Sequence, residues 1–470
     1  MVRPLNSILG RVLLSVPAVL AAIEVDVNNE DSIKKAAALV AEDLMSFYEG
    51  DKPGEVPGIL PGPPPNGDYY WGSGGFLWNT LIDYGNATGD IKYVDSIVKG
   101  LGWQVGQNHD FMPTNWTVGM GNDEQAIWAS AALTAANSGL PGPPSVESGW
   151  LSVAQNVLAE QPLRRINNGT CEGALRWQLF PSSNGYGYIQ TTSNAAFFAL
   201  AAGMAQETKN DTLAKQAASS YDVMAKIGLI DDKFNVFDGT QAANECNPKT
   251  VNRLQFSSNP GLLLTGAAYM LQQTNNDETW KKRVDGLLDH TLETFFPDGV
   301  AFEVACEMPG SGYTCNVDME QYKGMLHRSL GQTMRLAPHT KDKILPVLRT
   351  SAVAAVKTCT GGKNQRLCSS LWVTGKGQTS EGNEAASKDG AAAQMGVLSA
   401  LNSVLMANVI VKPATTGGSG SGGSADGGKG QGASDSSGGN KDTPGNMGAS
   451  AAVSSTVLFG GLFFSAMTFF

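Results

Sequence analysis

The sequence predicts an all-α domain folded as a closed ring of about twelve helices, an inner set around a central cavity and an outer set covering it. Three observations lead there. Apolar residues recur at helical steps in one segment after another, Gly-, Pro- and Asn-rich stretches punctuate those segments, and strand-like runs are scarce beyond "KFNVFDG". Consecutive helical hairpins suit a ring. An open α-solenoid is the competing architecture, and no repeat of fixed period supports it.

The elements follow in chain order. Arg3 and Arg11 precede "VLLSVPAVLAA", the pattern of a secretory signal peptide over residues 1–22, cut near Ala21 or Ala22. The first periodic segment, "DSIKKAAALVAEDLMSFYEG", repeats Ile33, Ala37, Val40, Leu44 and Phe47; Asp31 or Ser32 can cap it and Gly50 stops it. Similar segments lie near 74–85, 91–106, 123–137, 146–160, 190–207, 211–227, 257–274, 279–295, 318–335, 340–357 and 387–408. One domain therefore runs from about Val25 to Asn408. Several connections are long, and long ordered loops carry function.

Residues 414–446 are too rich in Gly and Ser to bury apolar surface and read as a disordered spacer. The apolar tail within 447–470 has two readings. A membrane helix would lack its basic cytoplasmic flank. A GPI-attachment signal matches, with small residues, a polar spacer and an apolar stretch; Asn446 is the expected attachment site and Gly448 its competitor. The protein is thus expected at the cell surface, tethered to the membrane or moved into the wall.

Composition removes other classes. A formal charge of -10 without a basic cluster excludes nucleic acid, which needs cations to replace condensed counterions. The four histidines show no metal-ligand spacing, no phosphate-binding or dinucleotide fingerprint occurs, and no cofactor is called for. In a secreted chain Asn86, Asn115, Asn168 and Asn210 become glycosylation sites, and six cysteines imply three disulfides. Cys306 with Cys315 and Cys359 with Cys368 are local pairs of matching spacing, leaving Cys171 with Cys246. The other pairings among the fifteen connectivities stay open.

The stretch "GMGNDEQAIWASAALTAA" sets Asp123 and Glu124 side by side at a helix start. In the plain reading Asn122 caps the helix with Gln125 three residues on, and the acids merely complement the helix dipole. In the chemical reading they are a catalytic pair. A retaining glycosidase holds two carboxyl groups about 5 Å apart, one ionised and one protonated. Neighbouring residues at a helix start can reach into one cleft, whereas those in a helix middle diverge by about 100°.

The chain resembles glycoside hydrolase family 76, the α-1,6-mannanases, and within it the GPI-anchored fungal wall-assembly members. The matching motifs are "GNDEQ", "YYWGSGGFLWNTLIDY", "CEGALRWQ", "GLIDDKFNVFDGT", "QFSSNPGLLLTGAAYM", "FFPDGVAFEVACE", "CNVDMEQYKGMLHRSL" and the final "CTGG…CSSLW", in family order over about residues 30–400. The resemblance implies an (α/α)6 barrel that cleaves or transfers α-1,6-linked mannose chains with retention. It gives Asp123 the nucleophile's place and Glu124 that of the acid/base, where the family has a second Asp. The substrate would be α-mannan or a GPI glycan, with β-glucan a possible acceptor. A non-catalytic mannan-binding or structural wall protein with a degenerate site is the alternative.

Other residues are candidates for sugar contact. Trp71, Trp78, Trp128 and Trp177 could stack on sugar faces, Trp71 best, since Tyr70 and Trp71 lie at a loop-to-helix junction. Asn122, Asp238 in "VFDGT", and His109 in the loop leading to the pair could bind hydroxyls. Asp318 and Glu320 read as a helix cap and its first turn.

Overall fold

The computed structural model describes residues 23–115, 119–307, 313–374 and 390–408. The leader, the Gly/Ser spacer and Asn446 lie outside them. Twelve α-helices follow in order: α1 (Glu30–Met45), α2 (Trp71–Thr88), α3 (Val94–Gln104), α4 (Asn122–Asn137), α5 (Gly149–Glu160), α6 (Thr191–Thr208), α7 (Asp211–Lys226), α8 (Ser258–Gln273), α9 (Glu278–Phe295), α10 (Val317–Leu336), α11 (Lys341–Lys357) and α12 (Ala391–Leu405). Each expected segment became one of them. The first helix is capped by Asn29, whose side chain accepts the Ser32 amide, rather than by Asp31 or Ser32.

The helices sort into two layers by the width of their apolar face. α9 buries a stripe of Trp280, Val284, Leu287, Leu288, Thr291 and Phe295, as expected of an outer helix with one wet side. α12 is buried at every position, which requires neighbours all round. The even-numbered helices form the inner ring α2–α4–α6–α8–α10–α12, and α12 packs back on α2. Asn402 Nδ2 donates to the Thr80 carbonyl at 3.1 Å across that seam. Closure rules out the open solenoid. The architecture is an (α/α)6 barrel, with α10 and α12 so close that a Cβ on Gly324 would stand 2.8 Å from the Gly396 Cα.

The two ends of the barrel differ. Segments entering the inner helices, at 46–70, 105–121, 161–190, 227–257, 296–316 and 358–390, are long, whereas four of the five leaving them, at 89–93, 209–210, 274–277 and 337–340, are short, the exception being 138–148. All six inner helices therefore start beneath elaborate loops. The disulfides sit in those loops: Cys171–Cys246 joins two of them, while Cys306–Cys315 and Cys359–Cys368 close turns within single loops. Strands β1 (Tyr188–Gln190) and β2 (Gly239–Gln241) pair antiparallel, Ile189 opposite Thr240, between the same two loops that Cys171–Cys246 ties.

Candidate active site

The start of α4 shows why two acids can share one place. Gly121 is its N-cap and Glu124 the third residue, so the Glu124 carboxylate folds back and its Oε2 accepts the Gly121 amide at 2.9 Å. Oε1 accepts the Gly72 amide of α2, also at 2.9 Å. One side chain thus joins two inner-helix starts.

The cap expected at Asn122 is displaced by one position because the Asn122 side chain is engaged elsewhere. It is buried, donates to the Arg176 carbonyl at 2.9 Å, and accepts Arg164 Nε at 2.9 Å. Arg164 also donates to Gln125 and pairs with Glu160 at 2.9 Å. Asn122 is therefore a structural lock and not a sugar contact.

Asp123 takes its support from its own amide and that of Glu124. Its Oδ1 lies over Gly121, where an added Cβ would stand 2.1 Å away, and this buried atom has no hydrogen-bond partner. Opposite stands Asp318 in the first turn of α10. Asn316 caps that helix by accepting the Met319 amide at 2.9 Å, so Asp318 is released from the capping role that the sequence suggested. One turn on, burial holds the proton on the Tyr322 hydroxyl, helped by the charges of Asp318, Asp123, Glu303 and Asp238. Phe256 meets the Tyr322 ring edge-on at 5.7 Å.

Electrostatics separates the two acids. Both keep a window to solvent but are otherwise enclosed by protein, and burial is the main force raising both carboxyls above their ordinary range. For Glu124 the Asp123 charge raises it further, and the Gly121 and Gly72 amides oppose the shift. Asp318 adds a smaller push on each and is itself raised by burial to about 6. Close like charges keep the two from ionising together, so whichever ionises first holds the proton on the other. The arrangement can supply one nucleophilic carboxylate and one carboxylic acid.

The aromatic candidates separate by exposure. Trp71 is only 3% exposed, donates from Nε1 to Gln104 Oε1 at 2.9 Å and stacks on Trp128 at 5.0 Å, so it is core and cannot stack on a sugar. Trp78 and Trp128 are fully buried as well. Trp177 keeps solvent access, and its indole nitrogen lies 3.1 Å from the position of a Gly121 Cβ. Its carbonyl accepts the Asn122 amide at 2.8 Å, and Gly185, at φ 86°, leaves room for the ring where a Cβ would come within 2.3 Å. The signal available in the sequence was "RWQ" in a long loop before a Gly-rich turn. Tyr70 is 52% exposed at the N-cap of α2, two residues before Gly72.

Asp238 reaches the same end of the barrel. Its Oδ2 accepts from the Tyr188 hydroxyl and, at 2.9 Å, from Asn252 Nδ2, and burial raises its carboxyl. His109 lies in the loop that leads into α4. Its carbonyl accepts Asn156 Nδ2 of α5 at 3.1 Å, and the next carbonyl, of Asp110, accepts Gln125 Nε2. Among the described residues no cluster of His, Cys, Asp and Glu has the geometry of a metal site.

The profile of glycosyl hydrolase family 76 matches residues 32–417. The chain belongs to glycosyl hydrolase family 76. Among its relatives, the mannan endo-1,6-alpha-mannosidase DCW1 of Saccharomyces cerevisiae is 37% identical over 357 residues, covering 75% of this chain and 76% of the relative. The crystal structure of Dfg5 from Chaetomium thermophilum in complex with glucosamine is 43% identical, covers 83% of this chain and 94% of the other, and gives a TM-score of 0.78. The family 76 fold extends to bacteria: an α-1,6-mannanase of a Salegentibacter species, 14% identical with a TM-score of 0.61, covers 80% of this chain and 99% of its own. That structure is of a variant described as inactive, with two consecutive aspartates changed to asparagine, in complex with α-1,6-mannotriose.

Proposed function

We propose that this family 76 chain is a retaining mannan endo-1,6-α-mannosidase or transglycosidase acting on α-1,6-mannose-containing glycans in fungal wall biogenesis. The observation carrying the reading is the pair itself: Asp123 with an unpartnered oxygen, beside Glu124 clamped between two helix starts. The Asp123 carboxylate attacks the anomeric carbon while Glu124 gives its proton to the leaving glycosidic oxygen. Glu124, now ionised, takes a proton from water or a sugar hydroxyl, whose oxygen displaces Asp123 from the glycosyl ester. Water yields hydrolysis and a sugar hydroxyl yields transfer.

The relatives' names and the paired aspartates of the bacterial enzyme support this assignment. Residence at the cell surface by a GPI anchor, with GPI glycan or wall mannan as donor and β-glucan as acceptor, belongs to the same proposal. The test is to incubate the purified protein with α-1,6-mannan and with a GPI-core glycan, with and without β-glucan, and to separate products by mass. Shorter mannose products or a mannose-to-glucan adduct, lost in Asp123→Asn, support the reading. Intact substrates that still bind would instead make Glu124 a helix cap in a binding cleft, the alternative its two amide contacts favour.

A further inference from the structure

A cavity of about 650 Å³ runs along the barrel axis toward the short-loop end, within the roughly 300–1,000 Å³ typical of small-molecule sites. It contains neither Asp123, Glu124, Asp318 nor Trp177. Its inner wall is formed by Phe76, Ile127, Leu262 and Met325, about one turn below the acid pair. We propose that this cavity is a second, non-catalytic site for a neutral saccharide.

The lining argues for that chemistry by elimination. The ligand is not an acyl chain, because a polar belt crosses the cavity: Arg328 donates to Asp83 at 2.6 Å and to Thr134 at 2.8 Å, and Thr134 donates to Asn79 at 3.0 Å. Anions are disfavoured because the negative ends of the inner helices face the mouth together with Glu207, whose charge is set against Lys209 there, while Asp83 is already paired with Arg328. Cations are disfavoured by Arg328 and Arg335.

What remains is a ligand that both donates and accepts hydrogen bonds without charge. The lining offers such partners. The Thr265 hydroxyl, buried in the cavity wall, has no hydrogen-bond partner. Asn137 Oδ1 and Arg335 Nε are likewise buried without one. Such orphaned groups are costly unless a ligand or water completes them. Tyr269, which keeps part of its surface open, supplies an aromatic face for a sugar ring.

Two sources could provide the saccharide. Asn86, in a glycosylation sequon, lines the mouth with its amide 2.6 Å from the Ser138 hydroxyl, so the chain's own glycan could enter, or a free oligosaccharide could. The probe is α-1,6-mannobiose, titrated by calorimetry into the full protein carrying Asp123→Asn, with and without Asn86→Gln. Two equivalents are expected. If two are seen only with Asn86→Gln, the chain's own glycan is the occupant. Thr265→Leu with Ser329→Leu should remove one equivalent and, in the otherwise wild-type chain, leave mannan cleavage within twofold. Should that variant fail to fold, Arg335→Leu at the mouth should weaken the second equivalent at least tenfold. A single equivalent in every background, or two that survive both changes, overturns the proposal and leaves the cavity to water. Failure of the catalytic reading would show in the cleavage assay instead, since cavity-dependent binding does not need turnover.

Discussion

Gly121→Ala tests the site with one methyl group. Gly121 has φ -95° and ψ 158°, ordinary extended backbone open to any residue, so the substitution introduces no backbone strain. The effect is steric. The new Cβ would lie 2.1 Å from Asp123 Oδ1, against the 3.0 Å that real contacts respect. The carboxylate must therefore move by about 1 Å, a displacement that can lower the rate on the order of a hundredfold, or about 2.7 kcal/mol of transition-state stabilisation. Replacing the glycine cap with alanine should lower stability by only about 1 kcal/mol. The assay is kcat/KM on α-1,6-mannan beside thermal unfolding. Gly119→Ala is the control, because a Cβ there meets nothing within 4 Å. Activity within threefold of wild type in Gly121→Ala, with an unchanged melting temperature, would refute the placement of Asp123 as nucleophile.

Three further outcomes are expected. Burial sets the folded-state pKa of Asp123 and Glu124 above their unfolded values, so as pH rises the unfolded chain releases these protons first and stability falls from about pH 4 upward through the raised values. Asp123→Asn with Glu124→Gln should accordingly melt above wild type near pH 8, with the gap closing near pH 4; calorimetry showing a constant gap would remove the buried-acid account. Asp318→Asn deletes a like charge that raises both acids, so both limbs of the kcat/KM profile against pH should move to lower pH, and an unmoved profile would show that Asp318 does not face the pair. Trp177→Ala should raise KM about tenfold or more at near-normal stability, whereas Trp71→Ala should cost about 3–5 kcal/mol of stability. Chemical denaturation and initial rates would expose the reverse pattern.

Much of the site was written locally and could be read without coordinates. The dipeptide Asp123–Glu124 before a helical stretch is a nearest-neighbour feature, and so are the twelve periodic segments and the paired cysteine spacings. These depend on short-range rules: side chains three or four residues apart share a face, and a helix start admits acids. The exchange of Asn122 for Gly121 as the cap came from outside that range. It was decided by Arg176 and Arg164, whose contacts with Asn122 span the loop after α5.

The sequence by itself determined the helices, their alternation with long loops, and the two acids at the head of α4. Only tertiary structure decided which aromatic faces the acids and which is core, because Trp71 and Trp177 differ in what closes over them and not in their neighbours along the chain. It also decided that Asp318 and Tyr322 join the pair from the far side of the ring. Ring closure brings six helix starts together at one end, and the electrostatic coupling of carboxyls so distant in sequence exists only once burial has lowered the dielectric between them.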